Sequence, residues 1–200
     1  MADSIATVVN WYGPYKGSSE AEVLAKAKRA AKDEWSKGLY AAVGSGETLR
    51  RGARRLLYMG VGNPLHSRLV PQHHQLSKLS LRQIWLGEIG VPGIPGKRPK
   101  KIDIHLDMVE WASAFFLELP FNKKKRQNPP DTSCVVVNRW WETDFKTSSA
   151  KPMRSWPDII EYDIDKELGN LVWFAPTRRI KPMPVHKVRR PGATAEAADG

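Results

Sequence analysis

The spacing of apolar side chains predicts two helices in this chain. Residues 18–36 are rich in alanine and lysine, carry a narrow apolar stripe, and start at Ser18 or Ser19, either of which can cap a first turn. Residues 103–119 carry apolar side chains at helical intervals and stop before Pro120. The second segment has the more regular period and is the stronger helix prediction.

Shorter apolar runs between glycines and polar residues predict strands. Two runs, at 38–44 and 55–61, are joined by a polar connection that contains glycine. A short helix is then expected from Pro64, because proline is tolerated in a first turn, and it carries Arg68. A third strand follows in LRQIWLGEIG. Together these runs predict a small antiparallel sheet.

The last third of the chain is expected to be rich in strands and then irregular. A strand is predicted at 134–137, and a hairpin at 159–174 with its turn at Gly169-Asn170. Residues 177–200 offer little to bury and combine basic residues with an alanine- and glycine-rich end. We expect this last segment to be a flexible tail.

Charge and cysteine content narrow the possible functions. The net charge is +11 and the pI is about 9.8, which favours a polyanionic partner, nucleic acid before an anionic membrane surface. No apolar run is long enough to span a membrane, and the first residues do not have the composition of a signal peptide. The one cysteine, Cys134, excludes an internal disulfide framework and a Cys-based zinc site. It is expected in the core of a strand, in a protein of the reducing cytoplasm.

Conspicuous polar residues recur at set points of the predicted elements. The triplet GLY at 38–40 opens the first strand, and the triplet YMG at 58–60 closes the second. Arg68 lies eight residues after Gly60, and Glu110 lies in the long helix. Gly60, with the glycine two residues later, is expected to let the backbone turn tightly, so that the strand and the short helix present their polar side chains to the same place.

This order resembles the GIY-YIG nuclease family. In that family, two such triplets precede an arginine, a helical glutamate, and an asparagine in a Pro-x-x-Asn-like stretch. Here PFN carries the asparagine, Asn122, and the resemblance covers residues 38–122. It implies a metal-dependent nuclease.

The chain departs from the family pattern at three places. The triplets are separated by 17 residues, which is more than is usual in the family. Gln72 stands where the family often has a histidine, and His73 and His74 follow directly. Pro120 is displaced by one position. The choice between the two histidines therefore stays open.

The residue types suit phosphodiester hydrolysis in their own right. A tyrosine whose pKa is depressed by neighbouring cations can accept or relay a proton, and arginine offers a planar fork to phosphate oxygens. A single glutamate can hold a Mg²⁺ or Mn²⁺ that keeps most of its waters. We expect Tyr40 to activate the attacking water, Tyr58 and Arg68 to hold the phosphate, and Glu110 to bind the metal. Glu88, in the third strand, is an alternative metal ligand.

The remaining candidates support this chemistry. His73 or His74 is expected to help Tyr40, and Asn122 to anchor a neighbouring group or fix a turn. Basic runs flank the catalytic candidates and are expected to neutralise DNA phosphates. The nucleic-acid-binding candidates are Arg54, Arg55, Lys97, Arg98, Lys123, Lys124, Lys125 and Arg126.

The expected architecture is of the α/β (α+β) class, with a small three-stranded antiparallel sheet flanked by helices. A nuclease core at 38–125 is preceded by an N-terminal helical extension at 1–37. It is followed by a β-rich extension at 126–176 and the basic tail at 177–200.

The expected function is a metal-dependent DNA endonuclease of restriction or host-defence type. A site-specific enzyme of this kind would act as a homodimer, since two-fold DNA sites match two-fold proteins. It would be cytoplasmic and associated with the nucleoid. Two alternatives stay open: a nuclease-like module that binds nucleic acid without cutting it, and an RNA-binding interaction protein that docks through its tail.

Overall fold

The computed structural model describes residues 4–45, 55–73, 75–90, 102–175 and 177–185. Within these ranges the chain forms one mixed sheet of eight strands, which curls into a half-barrel, and two α-helices. Two short 3₁₀ helices lie between the third and fourth strands. None of the helices in the described ranges is long and apolar enough to cross a membrane.

The strand order in the sheet is β3-β2-β4-β1-β5-β6-β7-β8. Among the strands that the structure describes, β1 and β5 are the only parallel neighbours, and the other neighbouring pairs are antiparallel. In chain order, the elements are β1 (Ile5–Lys16), α1 (Glu20–Glu34), β2 (Gly38–Ser45), β3 (Arg55–Gly62), the 3₁₀ helices Leu65–Arg68 and Leu76–Lys78, β4 (Ser80–Gly90), α2 (Ile102–Phe116), β5 (Cys134–Trp141), β6 (Ile159–Asp163), β7 (Leu168–Trp173) and β8 (Arg179–Pro184).

The predicted three-stranded sheet flanked by helices is wrong. Its three strands exist and are neighbours, in the order β3-β2-β4, but they form one end of the eight-stranded sheet. The joining element is β1, which pairs with β4 on one side and with β5 on the other. Most side chains of β1 are buried on both faces of the sheet, so its sequence lacks the alternation that marks a half-exposed strand.

Several local predictions are confirmed. The helices α1 and α2 fall on the two segments with helical spacing, and the hydroxyl of Ser19 accepts a hydrogen bond from the N–H of Glu22 at the start of α1. Strands β2, β3, β4 and β5 form where apolar runs predicted them. Cys134 is fully buried in β5, and this burial raises the pKa of its thiol to about 12.

The hairpin near the C-terminus turns earlier than predicted. The connection between β6 and β7 covers residues 164–167, and Gly169 lies inside β7. A Cβ atom on Gly169 would lie 2.2 Å from the ring of Phe116 in α2. This glycine is needed for close packing of the helix on the sheet, a reason that the local sequence does not reveal.

The first part of the segment that was expected to be a flexible tail forms a strand. Arg179–Pro184 form β8, which pairs with β7, and the guanidinium of Arg179 lies 3.9 Å from the ring centroid of Trp173. Strand pairing and this cation–π contact hold a segment that is mostly exposed. The chain beyond residue 185 lies outside the described residues.

The sheet separates two apolar cores. Because side chains alternate along a strand, Leu39 and Ala41 of β2 face the core that includes α2, whereas Tyr40 and Ala42 face the core that includes α1. The helix α2 also packs against β3, the edge strand at this end of the sheet. The candidate residues on β2, β3 and α2 are therefore collected around one sheet edge.

Candidate active site

Two tyrosines and one histidine form a buried group beside the edge strand. Tyr40 on β2 and Tyr58 on β3 have ring centroids 5.8 Å apart, and both side chains are buried. His73, from the connection before β4, places Nε2 3.1 Å from the hydroxyl oxygen of Tyr40. Its ring centroid lies 5.9 Å from that of Tyr58. Three separate segments of the chain thus meet at the hydroxyl of Tyr40.

Backbone hydrogen bonds set the tautomer of His73. The N–H groups of Gln75 and Leu76 both donate to Nδ1, each at 3.3 Å. In the neutral ring Nδ1 is therefore the acceptor, and the single ring proton lies on Nε2. Nε2–H then donates to the hydroxyl oxygen of Tyr40. This arrangement makes His73 a donor that stabilises negative charge on the tyrosine oxygen.

The two glycines of the YMGVG stretch make room for site residues. Gly60 pairs with Tyr40 across the strands, and a Cβ atom on Gly60 would lie 2.6 Å from the Tyr40 hydroxyl. A Cβ atom on Gly62 would lie 2.6 Å from Leu65 Cα and 3.0 Å from Arg68 Cγ. The expected tight turn at these glycines is wrong, because β3 runs through to Gly62 and neither glycine has a positive φ.

Arg68 supplies an exposed cation close to this group. It ends a 3₁₀ helix whose first N–H, that of Leu65, donates to the carbonyl of Ser36 at 3.0 Å. Burial raises the pKa of Tyr40 and that of Tyr58, and the positive charge of Arg68 opposes the rise in both. Burial outweighs the cations, so the depressed tyrosine pKa considered from the sequence is absent at these two residues. Both phenols hold their protons at neutral pH.

Glu110 is the carboxylate of the group, and it is paired. Its side chain is 16% exposed, and its Oε2 lies 2.7 Å from Nζ of Lys125. The same Nζ lies 2.5 Å from Oδ1 of Asp107, one turn earlier on α2. Burial raises the pKa of Glu110, while its hydrogen bond to Lys125 and the charge of Arg68 oppose that rise. Glu110 therefore lies within electrostatic reach of Arg68 and Tyr58.

Asn122 fastens the loop after α2 to the edge strand. Its Oδ1 accepts a hydrogen bond from the N–H of Met59 at 3.0 Å, and its Nδ2 donates to the carbonyl of Met59 at 2.6 Å. The amide replaces a neighbouring strand at an edge that would otherwise leave backbone groups unpaired. Met59 lies between Tyr58 and Gly60, so Asn122 positions the strand that carries the site.

Asn122→Ala is expected to lower the free energy of unfolding by about 2–3 kcal/mol, because it leaves a buried N–H and a buried C=O without partners. Denaturant unfolding measures this loss. Asn170→Ala, which removes a contact with the exposed Glu161, is the matched control and should change stability by less than about 0.5 kcal/mol. Equal losses in both variants would contradict a clamping role for Asn122.

The basic candidates fall into three groups. Lys123, Lys124 and Arg126 are exposed on the loop next to Asn122, whereas Lys125 turns inward to Glu110. Arg55 is half-buried at the opposite end of β3 from Gly60, beside a cavity of about 530 Å³. Four candidates lie outside the described residues, namely Arg54, His74, Lys97 and Arg98.

The carboxylates suit a divalent cation that keeps several of its water ligands. Oxygens of Glu110 and Asp107 converge on one cationic nitrogen, and Mg²⁺ is commonly bound by one or two carboxylates with waters and a substrate phosphate. Across the described ranges, no cluster of three or more His, Cys, Asp or Glu side chains is placed to hold a metal. Glu88, the alternative ligand, accepts a hydrogen bond from the Tyr12 hydroxyl at 3.2 Å.

From the sequence, Asp107 is expected to be a solvated residue of the second helix, and Lys125 to be one of several phosphate-binding lysines. The signal for Asp107 was present in its spacing, since residues three apart share one side of a helix. The inward orientation of Lys125 has no local signal.

Comparisons with protein-family models, with curated proteins and with solved structures found no match for this chain. Its function is therefore argued from the site residues themselves.

Proposed function

We propose that the protein is a divalent-metal-dependent endonuclease that hydrolyses phosphodiester bonds in DNA. The observation that carries the proposal is the convergence of Tyr40, Tyr58, Arg68, His73 and Glu110 around one edge of the sheet. The resemblance to GIY-YIG nucleases selected these residues from their order and spacing. The proposal is supported by the closeness of these residues in the folded chain, although the sheet has eight strands and not the three that were expected.

The polar groups divide the chemistry among them. Because both phenols are protonated at rest, Tyr40 relays a proton: it takes one from the attacking water while its own passes to Tyr58, which gives its proton to the phosphate oxygen that it contacts. The donor on His73 and the charge of Arg68 stabilise the negative charge that develops on the Tyr40 oxygen during this transfer. Arg68 and Tyr58 hold the phosphate, the former through its planar fork. Since both phenols are protonated at rest, the hydroxyl of Tyr58 is a hydrogen-bond donor to a phosphate oxygen.

Glu110, with Asp107 beside it, would hold the Mg²⁺ or Mn²⁺. When bound, that ion supplies Lewis-acid stabilisation of the charge on the phosphate. The exposed Lys123, Lys124 and Arg126 contact neighbouring phosphates, and the net charge of +11 supports association with DNA in the cell. A site-specific form of the enzyme would act as a homodimer on two-fold sites.

Incubation of the protein with supercoiled plasmid tests the proposal. We expect nicking and linearisation with Mg²⁺ or Mn²⁺, and none with EDTA, with Glu110→Gln or with Arg68→Ala. The matched controls Glu142→Gln and Arg82→Ala change exposed residues of the same type elsewhere and should cut normally. Discrete fragments would indicate restriction-type specificity, and a smear would indicate a nonspecific defence nuclease.

Failure of cleavage has a definite meaning if folding is intact. Tight and steeply salt-dependent binding to DNA, with no cleavage of any DNA or RNA tested, would replace the enzyme by a nucleic-acid-binding module. Cleavage that persists in both Glu110→Gln and Arg68→Ala would show that the reaction belongs elsewhere in the molecule.

A further inference from the structure

Lys125 differs from the basic residues around it. Lys123, Lys124 and Arg126 point into solvent on the same loop. The side chain of Lys125 is only 26% exposed, and its ammonium group bridges Glu110 and Asp107. A phosphate-binding lysine at rest is normally hydrated, whereas this one is committed to two carboxylates.

The ammonium of Lys125 lies where a metal would bind. Glu110 and Asp107 are three residues apart on α2, so their carboxylates share one side of the helix. Their oxygens lie 2.7 and 2.5 Å from the same nitrogen. In a magnesium site, the carboxylate oxygens lie about 2.0–2.1 Å from the ion. Lys125 and a metal therefore compete for the same oxygens.

We propose that Lys125 is a cation gate on Glu110: its ammonium holds the carboxylate until a DNA phosphate draws it away, so that metal is bound together with DNA rather than before it. This inference rests on the proposed function, because it concerns the regulation of the same site.

The chemistry of lysine permits this exchange. Its ammonium is a compact charge on a flexible four-carbon stem, so it moves between partners without a change of backbone. Lys124 and Arg126, the exposed neighbours of Lys125 in the loop, bring a phosphate to this position. The metal then neutralises the two carboxylates that Lys125 has left. By linkage, DNA raises the affinity for metal by the same factor by which metal raises the affinity for DNA.

Calorimetric titration with Mn²⁺ tests the gate without any measurement of cleavage. Lys125→Met keeps the stem and removes the charge, and is expected to bind Mn²⁺ at least about tenfold more tightly than the wild type in the absence of DNA. Lys28→Met removes an exposed charge on α1, away from the site, and should bind as the wild type does. Lys125→Arg retains the charge and should also keep the weak binding, and Glu110→Gln added to Lys125→Met should abolish the tight binding.

A second titration adds DNA. A short duplex is combined with the Tyr40→Phe form of the protein, so that cleavage of the DNA is slow during the titration. The duplex should tighten Mn²⁺ binding in this background by a larger factor than in the same background with Lys125→Met, where the gate is already open. Circular dichroism melts with and without Mn²⁺ check folding, and Lys125→Met should gain more thermal stability from the ion than the wild type.

The outcomes separate the gate from the enzyme. Equal Mn²⁺ affinity in the wild type and Lys125→Met, lost in both on Glu110→Gln, overturns the gate and leaves the endonuclease standing. An equal effect of DNA in both backgrounds also overturns the gate. Absence of Mn²⁺ binding from every form, with or without DNA, overturns both proposals.

Discussion

Tyr40→Phe is expected to reduce plasmid cleavage by about 10²–10⁴-fold, the usual contribution of a positioned acid or base. The change removes one hydroxyl, which receives the Nε2–H of His73 and lies in the field of Arg68. The ring stays, so its packing in the core around α1 is kept. DNA binding at fixed salt should be nearly unchanged, because the phosphate contacts are made by other residues. Initial rates of nicking, beside a binding titration, measure the two effects separately.

Tyr12→Phe is the matched control for this change. Tyr12 is also a buried tyrosine of the core around α1, but its hydroxyl donates to Glu88 and not to the candidate site. Its loss should leave cleavage within about threefold of the wild type. If both variants lose activity to the same extent, the Tyr40 hydroxyl has no special part in the reaction.

Gly60→Ala is expected to abolish most of the activity and to lower the free energy of unfolding by about 1–3 kcal/mol, as overpacking of a core usually does. The new methyl group would lie 2.6 Å from the Tyr40 hydroxyl, and Tyr40 is fully buried and cannot move aside freely. The ring must shift, and with it the hydroxyl leaves His73. Denaturant unfolding measures the loss of stability, and plasmid nicking measures the loss of activity.

A double-mutant cycle identifies the cause. In a Tyr40→Ala background the clash is absent, so Gly60→Ala should cost much less stability there than in the wild type. Gly90→Ala is the control for a glycine in a strand, because its Cβ would meet nothing closer than 3.4 Å. An undiminished cost of Gly60→Ala in the Tyr40→Ala background would mean that the glycine is needed for some other reason.

The candidate site illustrates how far spacing alone can reach. The order of the two triplets, the arginine and the helical glutamate predicted residues that lie together, although 17 residues separate the triplets. Which of two adjacent histidines joins the tyrosine was open in the sequence, since neither stands at the family position. The fold brings His73 to Tyr40 and anchors its Nδ1 with two backbone N–H groups.

The roles of several residues were harder to predict than their positions. In the sequence, Gly60 and Gly62 look like turn residues. In the structure they lie within β3, where the absence of a side chain leaves room for Tyr40 and Arg68. Lys125 is one of four consecutive basic residues, and it is the one that pairs with Glu110. In each case the deciding contact joins residues distant in the chain, and no local pattern records it.

The sequence by itself determined both helices and four of the strands, but not β1, β8 or the position of the turn between β6 and β7. Helical spacing placed α1 and α2, apolar runs between glycines placed β2, β3 and β4, and the buried character of Cys134 followed from a strand of valines. These features depend on side chains that are close along the chain, which is why a one-dimensional pattern is sufficient for them.

Only the tertiary structure decided that these strands belong to one eight-stranded sheet. The pairing of β1 with both β4 and β5 joins residues 5–16 to segments more than 60 residues away, and a fully buried strand carries no sign of which neighbours it will choose. The same holds for the charges around Glu110. Burial and Coulomb interactions act through space, so the high pKa of the two tyrosines and the pairing of Lys125 emerge only once the chain has folded.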